Sequence, residues 1–546
     1  HRHFRRQRQM CIRDRKKNDL QKPQVGICSM WYEGNPCNAK LDVLSHRVKK
    51  SIQKENLLPL QFNTIGVSDG MSMGTDGMKY SLPSRDLIAD SIETVVSAQH
   101  YDGLVCIPGC DKNLPGSAMA LLRLNRPGCI LYGGSMRPQY FGGDKLDIVS
   151  AFESYGQYIS GEINDTEREL IVKHACDRSK CGSCAGLYTA NTMAILLEVM
   201  GLSLPNDSSG SSLSDEKFIE TDTMGEIMTN LVNNNIKPQD IATRESFMNA
   251  VKMLSIIGGS TNAIIHLLAM AQNANVQFTL EDVKSVDQIP VLLNMKPHGK
   301  YCMTDLGPMG GTAALCKYLI EQNILDGDTL TITGKTLWEN VQSSPMLDFS
   351  NDQDIVYSLD TPFKRTSHIN ILQGNLAPQG CISKIYSEKK THSGPAIVFD
   401  TEADLLQALE NGKIRKDHFI ILRYQGESVG CPEMLAPTSA LIGYFGKDDV
   451  PAFATDGRFS GGSTGILVAH LPDAFKPNSP TAKICDGDPI TVCLDSGKIE
   501  TTVPDFEKRM NIRIRSCSNK ISNHTNTYLN RFCKYVGDVE TGFTMS

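Results

Sequence analysis

The sequence predicts an α/β fold in two parts: an N-terminal α/β domain built on a parallel sheet, then a C-terminal β-rich, barrel-like domain. Three observations carry that expectation. Residues 103–134 run from an apolar strand through a helical pattern to a second apolar strand, the spacing of a βαβ unit. Near residues 345–375 the composition shifts, and short strand-like pieces separated by turn residues take over. The chain has 546 residues, 40% apolar and 21% charged, which is enough to bury two ordinary cores without staples.

Taken in order, residues 25–31 (VGICSMW) read as a short buried strand. A turn at 34–38 leads into a helical stripe through Leu41, Leu44 and Val48. Residues 62–70 read as a strand running into a glycine-containing loop. The clearest helix covers 81–99, with Ser84 placed to cap it and Leu87, Ile88, Ile92 and Val95 at helical spacing. Strands follow at 103–109 and 129–134, and between them a helix over 115–125 begins at Pro115. The small polar stretch 203–216 predicts a surface loop or lid, and helical patterns resume at 247–258 and 263–272. Beyond the shift, HINILQG, AIVFD, HFIILRYQG, PAFATDG and PITVCLD read as strands. Residues 1–19 are expected to be a disordered or foreign extension. An organelle transit segment is the other reading of that Arg-rich, acid-poor start.

A net charge of -6 gives no reason to expect a nucleic-acid surface or a polybasic membrane anchor, and no apolar run is long enough to span a bilayer. Seventeen cysteines are scattered through apolar segments, without the dense even spacing of a secreted scaffold. Thiols buried or bound to metal in a reducing compartment are expected. The protein is therefore expected to be intracellular and soluble: cytoplasmic, or mitochondrial or plastid in a eukaryote.

In a parallel sheet the loops at the carboxyl ends of strands carry the chemistry, and Asp69, Cys110, Asp111 and Lys112 fall in such loops. Cys110 and Asp111 set a soft ligand suited to iron beside a hard ligand suited to magnesium. Lys112 fits such a loop only if it pairs with acids or carries a carbamate. Alone, the triplet is better read as a buried thiol, a capping acid and a surface lysine. CGSC at 181–184 lacks the second pair a zinc ribbon needs. His266, on an apolar helical face, reads as a core histidine.

The surrounding stretches alter that balance. GCDKNLPGSAMALLRLNRPGCILYGGSM (109–136) and FATDGRFSGGSTG (453–465) resemble the two signatures of the dihydroxy-acid and sugar-acid dehydratase superfamily. The likeness extends through residues 63–85, YTANTM (188–193), GGSTNAIIHLLA (258–269) and GNLAPQG (374–380), and covers most of 20–470. Within the superfamily, GCDKNLPG and NTIGVSDGMSMGT are most similar to the dihydroxy-acid dehydratases.

The resemblance implies a hydro-lyase that converts 2,3-dihydroxy-3-methyl acids to 2-oxo acids in valine and isoleucine synthesis. It implies a [2Fe–2S] cluster on Cys37, Cys110 and Cys184, with Mg2+ on Asp69, Asp111, a carbamylated Lys112 and Glu433. Ser460 matches the base that takes the C2 proton. Such a hydroxyl must be helped by a cation or by backbone N–H groups, which Arg458 and the glycines around it can supply. The cysteines then belong to an N-terminal domain at 20–360, and the serine to a C-terminal domain at 361–546. A homodimer acting on a small hydroxy acid is expected by resemblance.

Several departures leave alternatives open. CDRSKCGSCAG (176–186) offers Cys176 and Cys181 beside Cys184. The loop QGESVGCPEM before Glu433 is shortened and carries Cys431, and Asp76 stands where many relatives have Glu. A sugar-acid dehydratase is the nearest other activity, and a non-catalytic iron–sulfur sensor the nearest other class.

Overall fold

The computed structural model describes residues 19, 21–175, 181–350, 352–387, 389–510 and 527–545. Residues 1–18 of the expected extension, and Cys176, lie outside them. Four parallel strands form the first sheet: β1 (Gln24–Ser29), β2 (Leu58–Asn63), β3 (Gly103–Ile107) and β4 (Gly128–Ile130). Their order is β2-β1-β3-β4. β3, GLVCI, is buried at every position, as a parallel strand covered on both faces must be. The chain leaves β1 on one side for β2 and returns on the other side for β3. Strand order therefore reverses between β1 and β3, and ligands of open α/β sheets sit at the carboxyl ends of such a reversal.

The connecting helices follow the apolar stripes. Leu41–Lys54 buries Leu41, Leu44, Val48 and Ile52. Ser81–Gln99 buries Ile88, Ile92 and Val96 and stops at His100, whose φ of 53° is left-handed. Ser84 does not cap this helix. It lies inside the first turn, and its hydroxyl donates to the Ser81 carbonyl at 2.6 Å. The next helix, Asn113–Leu124, starts two residues before Pro115, which still falls in the first turn where no helical N–H partner is required. A small hairpin, β5 (Gln139–Phe141) and β6 (Asp144–Leu146), follows.

The second part is a closed barrel of eight strands. They are β7 (Ile369–Gly374), β8 (Ala377–Ile385), β9 (Thr391–Phe399), β10 (Phe419–Leu422), β11 (Ala452–Thr455), β12 (Ile466–Ala469), β13 (Pro489–Cys493) and β14 (Lys498–Thr501). They close in the order β10-β11-β12-β8-β7-β14-β13-β9. β9, β10, β11 and β12 run parallel to one another. Side chains alternate across the wall: Phe419 and Ile421 enter the barrel core with Ala454, Val468 and Val492. Ile420 and Leu422 face outward against Leu405, Leu409 and Leu441 of the helices Glu402–Glu410 and Leu435–Phe445. Both faces of β10 are thus buried, which explains its unbroken apolar run FIIL.

Two contacts away from the carboxyl edge of the sheet help tie the parts together. The C-terminal segment returns to the helix Ser81–Gln99: Tyr528 donates to the Pro83 carbonyl at 2.6 Å, and the Met545 N–H to Asp86 at 3.1 Å. The helix Ile148–Ser160 packs on Leu435–Phe445 through reciprocal glycines. A Cβ on Gly156 would lie 2.0 Å from the Ala440 carbonyl oxygen, and one on Gly443 would lie 2.0 Å from that of Glu153. Among the described residues no helix is long and apolar enough to cross a membrane.

Because the obstructing atoms are backbone, Gly443→Ala must push the two helices apart. A loss of about 3 kcal/mol is expected in a denaturant titration, the upper range for overpacking. A loss within about 0.5 kcal/mol would show that the helices do not hold this spacing in solution.

Candidate active site

Each strand of the parallel sheet delivers a loop to the carboxyl edge. β1 leads to Cys37, β2 to Asp69, and β3 to Cys110, Asp111 and Lys112. The loop after β4 reaches Ser135, which bridges to Ser183, the residue before Cys184. Ser183 also donates its hydroxyl to the Gly109 carbonyl, and the Gly182 N–H reaches the Pro36 carbonyl at 3.3 Å. Asn35, fully buried, accepts from the Cys37 N–H at 2.9 Å and donates to the Gly66 carbonyl at 3.1 Å. These bonds gather three thiols. Hydrogen bonding with the Cys110 and Cys184 side chains, then burial, pushes the Cys37 thiol well above its usual range. Cys110 is pulled down, chiefly by its contact with Cys37. Neighbouring thiolates repel, so the three cannot all ionise without a cation between them.

Beside the thiols lies a second, oxygen-rich group. Carboxylate oxygens of Asp69, Asp111 and Glu433 lie within 4.8 Å of one another. Lys112, fully buried, donates to Asp69 at 2.5 Å and to Glu433 at 2.7 Å. Burial draws its ammonium down, but the facing Asp69 and Glu433 outweigh burial and leave it raised. Burial, reinforced by Asp69, drives the Asp111 carboxyl well up. Asp69 begins the short helix Asp69–Ser72 and takes the Ser81 hydroxyl at 2.8 Å. Glu433 Oε1 also accepts from Asn262 and Arg458, each at 2.9 Å, while Glu433 Oε2 is buried with no partner among the described residues. Three hard oxygen donors at this spacing, one carrying an uncommitted lone-pair atom, fit a divalent cation.

Glu433 and Ser460 come from adjacent loops of the barrel, after β10 and β11. The Glu433 and Arg458 backbones form a bridge, which extends the strand pairing into the site. Ser460 is buried, and its Oγ accepts from the Gly462 N–H at 3.4 Å. The loop rests on the start of the helix Thr189–Val199, for a Cβ on Gly461 would lie 2.5 Å from the Thr189 nitrogen. The next residue of that helix, Ala190, donates its N–H to Asp111 at 3.1 Å. One helix end therefore carries both the serine loop and an acid of the oxygen-rich group.

The expected residues thus converge, with some redistribution of roles. Cys184 joins Cys37, whereas among the described residues no bond links Cys181 to the thiol group. Despite its shortened loop, Glu433 is fully buried and held by three donors. Cys431 is buried behind it, and its carbonyl takes the Arg458 Nε at 2.7 Å. Among the described residues Arg458 makes no hydrogen bond to Ser460: its Nε and Nη1 go to the Cys431 carbonyl, Asn262 and Glu433, and its Nη2 is buried without a partner. Asp76 is exposed and pairs with Lys79 at 2.5 Å, away from the acids. His266 is fully buried, as a core histidine, and Arg85 meets its Nδ1 at 3.3 Å. Asn262 was not singled out from the sequence. The signal was available, as a polar side chain opening an otherwise apolar helix within GGSTNAIIHLLA.

Residues 22–340 match the family Dihydroxy-acid/6-phosphogluconate dehydratase N-terminal, and residues 354–543 match Dihydroxy-acid/6-phosphogluconate dehydratase C-terminal. A dihydroxy-acid dehydratase of Francisella tularensis is 48% identical over 530 residues, spanning 96% of this chain and 93% of the relative. The mitochondrial dihydroxy-acid dehydratase of Saccharomyces cerevisiae is 46% identical, spanning 96% of this chain and 91% of the relative.

Removing the buried ammonium leaves clustered acids uncompensated. Lys112→Met should cost the metal-free protein about 4 kcal/mol in denaturant unfolding, the usual scale for breaking a buried ion pair. A variant as stable as the parent would mean that the acids are solvated or protonated rather than paired.

Proposed function

The chain belongs to the dihydroxy-acid/6-phosphogluconate dehydratase family, and from that premise we propose that it is a dihydroxy-acid dehydratase, with each site residue acting as follows. Its substrates are 2,3-dihydroxy-3-methyl acids such as 2,3-dihydroxyisovalerate, and its products are the 2-oxo acids of branched-chain amino-acid synthesis. The observation that carries the assignment of roles is the meeting of three thiols, three carboxylates and a buried serine at the junction of sheet and barrel.

Cys37, Cys110 and Cys184 are the three protein ligands of a [2Fe–2S] cluster, and Asp69, Asp111 and Glu433 are ligands of Mg2+. Lys112 can join them only as a carbamate, because an ammonium has no lone pair to give. When bound, the cluster supplies a Lewis acid for the leaving hydroxyl, and Mg2+ supplies positive charge opposite the substrate carboxylate. The protein's own part is proton transfer and orientation. Ser460 Oγ takes the proton from C2, and the Gly462 N–H that already meets this oxygen stabilises the charge it must carry. The electron pair left at C2 forms the C2–C3 double bond as the C3 hydroxyl departs. The resulting enol loses its C2 hydroxyl proton and takes a proton at C3 to give the 2-oxo acid. Arg458 and Asn262 hold Glu433 from the barrel side, so its free oxygen is directed without competing bonds.

All the described cysteines are free thiols, which supports an intracellular, reducing compartment. A homodimer is the assembly we propose. A sugar-acid dehydratase remains the comparison activity for the assay, and a sensor role would leave Ser460 and the oxygen-rich group without purpose.

Anaerobically prepared protein should turn over 2,3-dihydroxyisovalerate in preference to a panel of aldonates; a preference for an aldonate would overturn the substrate assignment. Cys110→Ser should lose both iron-dependent absorbance and activity, and full retention of the two would remove the thiols from the site. Ser460→Ala should keep the absorbance and lower kcat at least about 100-fold, the low end for a positioned base. Mg2+ at about 100 times its Kd should stabilise the chelator-treated protein by about 2.7 kcal/mol, an effect that Glu433→Gln removes.

A further inference from the structure

The assignment of Ser460 as base leaves one requirement unmet. A serine hydroxyl gives up its proton only where a cation or backbone N–H groups await the alkoxide, and the Gly462 N–H that meets Ser460 at 3.4 Å is by itself a long contact. The cation nearest in sequence, Arg458, directs Nε and Nη1 to the Cys431 carbonyl, Asn262 and Glu433, and its remaining Nη2 is buried with no hydrogen bond to Ser460 among the described residues. Another cation reaches the same loop from β8, which pairs with β12, the strand that the loop leads into. Lys384, near the end of β8, is 1% exposed. Its Nζ donates to the Gly461 carbonyl at 3.1 Å and to the Ser463 carbonyl at 2.9 Å. Among the described residues no carboxylate faces it: burial alone draws its ammonium down, to about 7. The titratable groups that feel its charge are His298 and His368. A buried cation whose hydrogen bonds go only to the backbone of one loop serves that loop.

The peptide it grips is the relevant one. The Gly461 carbonyl and the Gly462 N–H belong to a single peptide unit, with oxygen and hydrogen on opposite sides. Lys384 holds the oxygen end, and Ser460 Oγ lies 3.4 Å from the nitrogen at the other end. A cation on a carbonyl polarises the amide and strengthens donation by its N–H, as in any chain of hydrogen bonds at low dielectric. Two more bonds keep the loop in register: Thr438 Oγ1 to Ser463 Oγ at 2.9 Å, and His298 Nδ1 to Thr464 Oγ1 at 2.6 Å.

We propose that Lys384 is a positioning residue for the dehydration, acting through the Gly461–Gly462 peptide to stabilise the negative charge on Ser460 Oγ. The proposal rests on the reading of Ser460 as the base. It assigns Lys384 no contact with substrate. Removing it therefore affects the step in which Ser460 takes the proton, leaving substrate binding and the metal centres in place.

The test uses the cluster-loaded, Mg2+-replete enzyme. Lys384→Met and Lys384→Gln are made singly and in the Ser460→Ala background, with Lys384→Arg as the charge-retaining control. Met replaces an unpaired buried charge by an apolar chain of similar length, and Gln keeps a donor without the charge. The expected result is unchanged iron absorbance and KM, with kcat lower by about 100-fold in both neutral variants, the scale for losing one stabilising donor. Lys384→Arg should recover at least about tenfold of that loss, a rescue that a packing role would not give. In the Ser460→Ala background the neutral substitutions should lower the residual rate no further. If Ser460→Ala is inactive and both neutral variants keep kcat within about threefold of the parent, the role of Lys384 is overturned and the base stands. A neutral variant that loses iron absorbance, or a second full loss in the Ser460→Ala background, also overturns it by showing a structural role. If Ser460→Ala itself turns over normally, the base assignment fails first and the proposal goes with it.

Discussion

The buried ion group Asp69–Lys112–Glu433 is the constraint on which the rest of the site depends. Its first two members stand on loops of the parallel sheet, and the third enters from the barrel, 321 positions away from Lys112 in sequence. Charges taken out of water at this depth cost several kcal/mol each, and they persist only where geometry and additional donors compensate. Ser81 on Asp69, and Asn262 and Arg458 on Glu433, provide that compensation. The two halves of the chain must therefore dock in one register before any of these charges is tolerable. The close glycine contact between Ile148–Ser160 and Leu435–Phe445, with the C-terminal return to Ser81–Gln99, fixes that register from outside the site.

Much of this was legible in the sequence, for identifiable reasons. The parallel sheet was readable because β3 is buried on both faces and so runs continuously apolar, and the intervening helices carry clean stripes such as Leu41, Leu44 and Val48. The placement of Asp69, Cys110, Asp111 and Lys112 followed from the rule that carboxyl-end loops hold the chemistry. Less legible were features set by tertiary contact. The helix expected to start at Pro115 starts at Asn113, because proline tolerates any position of a first turn. Ser84 looked like a cap, but Ser81, whose hydroxyl is committed to Asp69, is where the helix begins. Arg458 looked like the serine's cation because the two are neighbours in sequence. The barrel turns its guanidinium toward Glu433 instead, and no local pattern records that choice. Lys384 is the converse case: a lysine in an otherwise ordinary strand, whose burial and partners emerge only once the barrel closes.

The division between thiols and oxygen donors has a structural origin as well. The thiols ride on loops after β1 and β3 and on the segment bridged to the loop after β4, which converge at the reversal of strand order. The oxygen donors straddle the junction, with Asp69 and Asp111 on one side and Glu433 on the other. On the proposed assignment, the leaving C3 hydroxyl and the substrate carboxylate would meet different cations, and a single loop holding both Cys110 and Asp111 would set their separation through one peptide bond. The proposed base must approach from a third direction. Only the barrel can supply it, since the sheet edge is already occupied by ligand loops. Ser460 therefore sits two residues beyond Arg458, on a glycine-rich turn small enough to rest against the Thr189 helix start. The same turn exposes two carbonyls to β8, and a lysine there meets them. The cation–peptide–serine chain thus follows from the way a barrel loop must bend to reach a site that the sheet has already built.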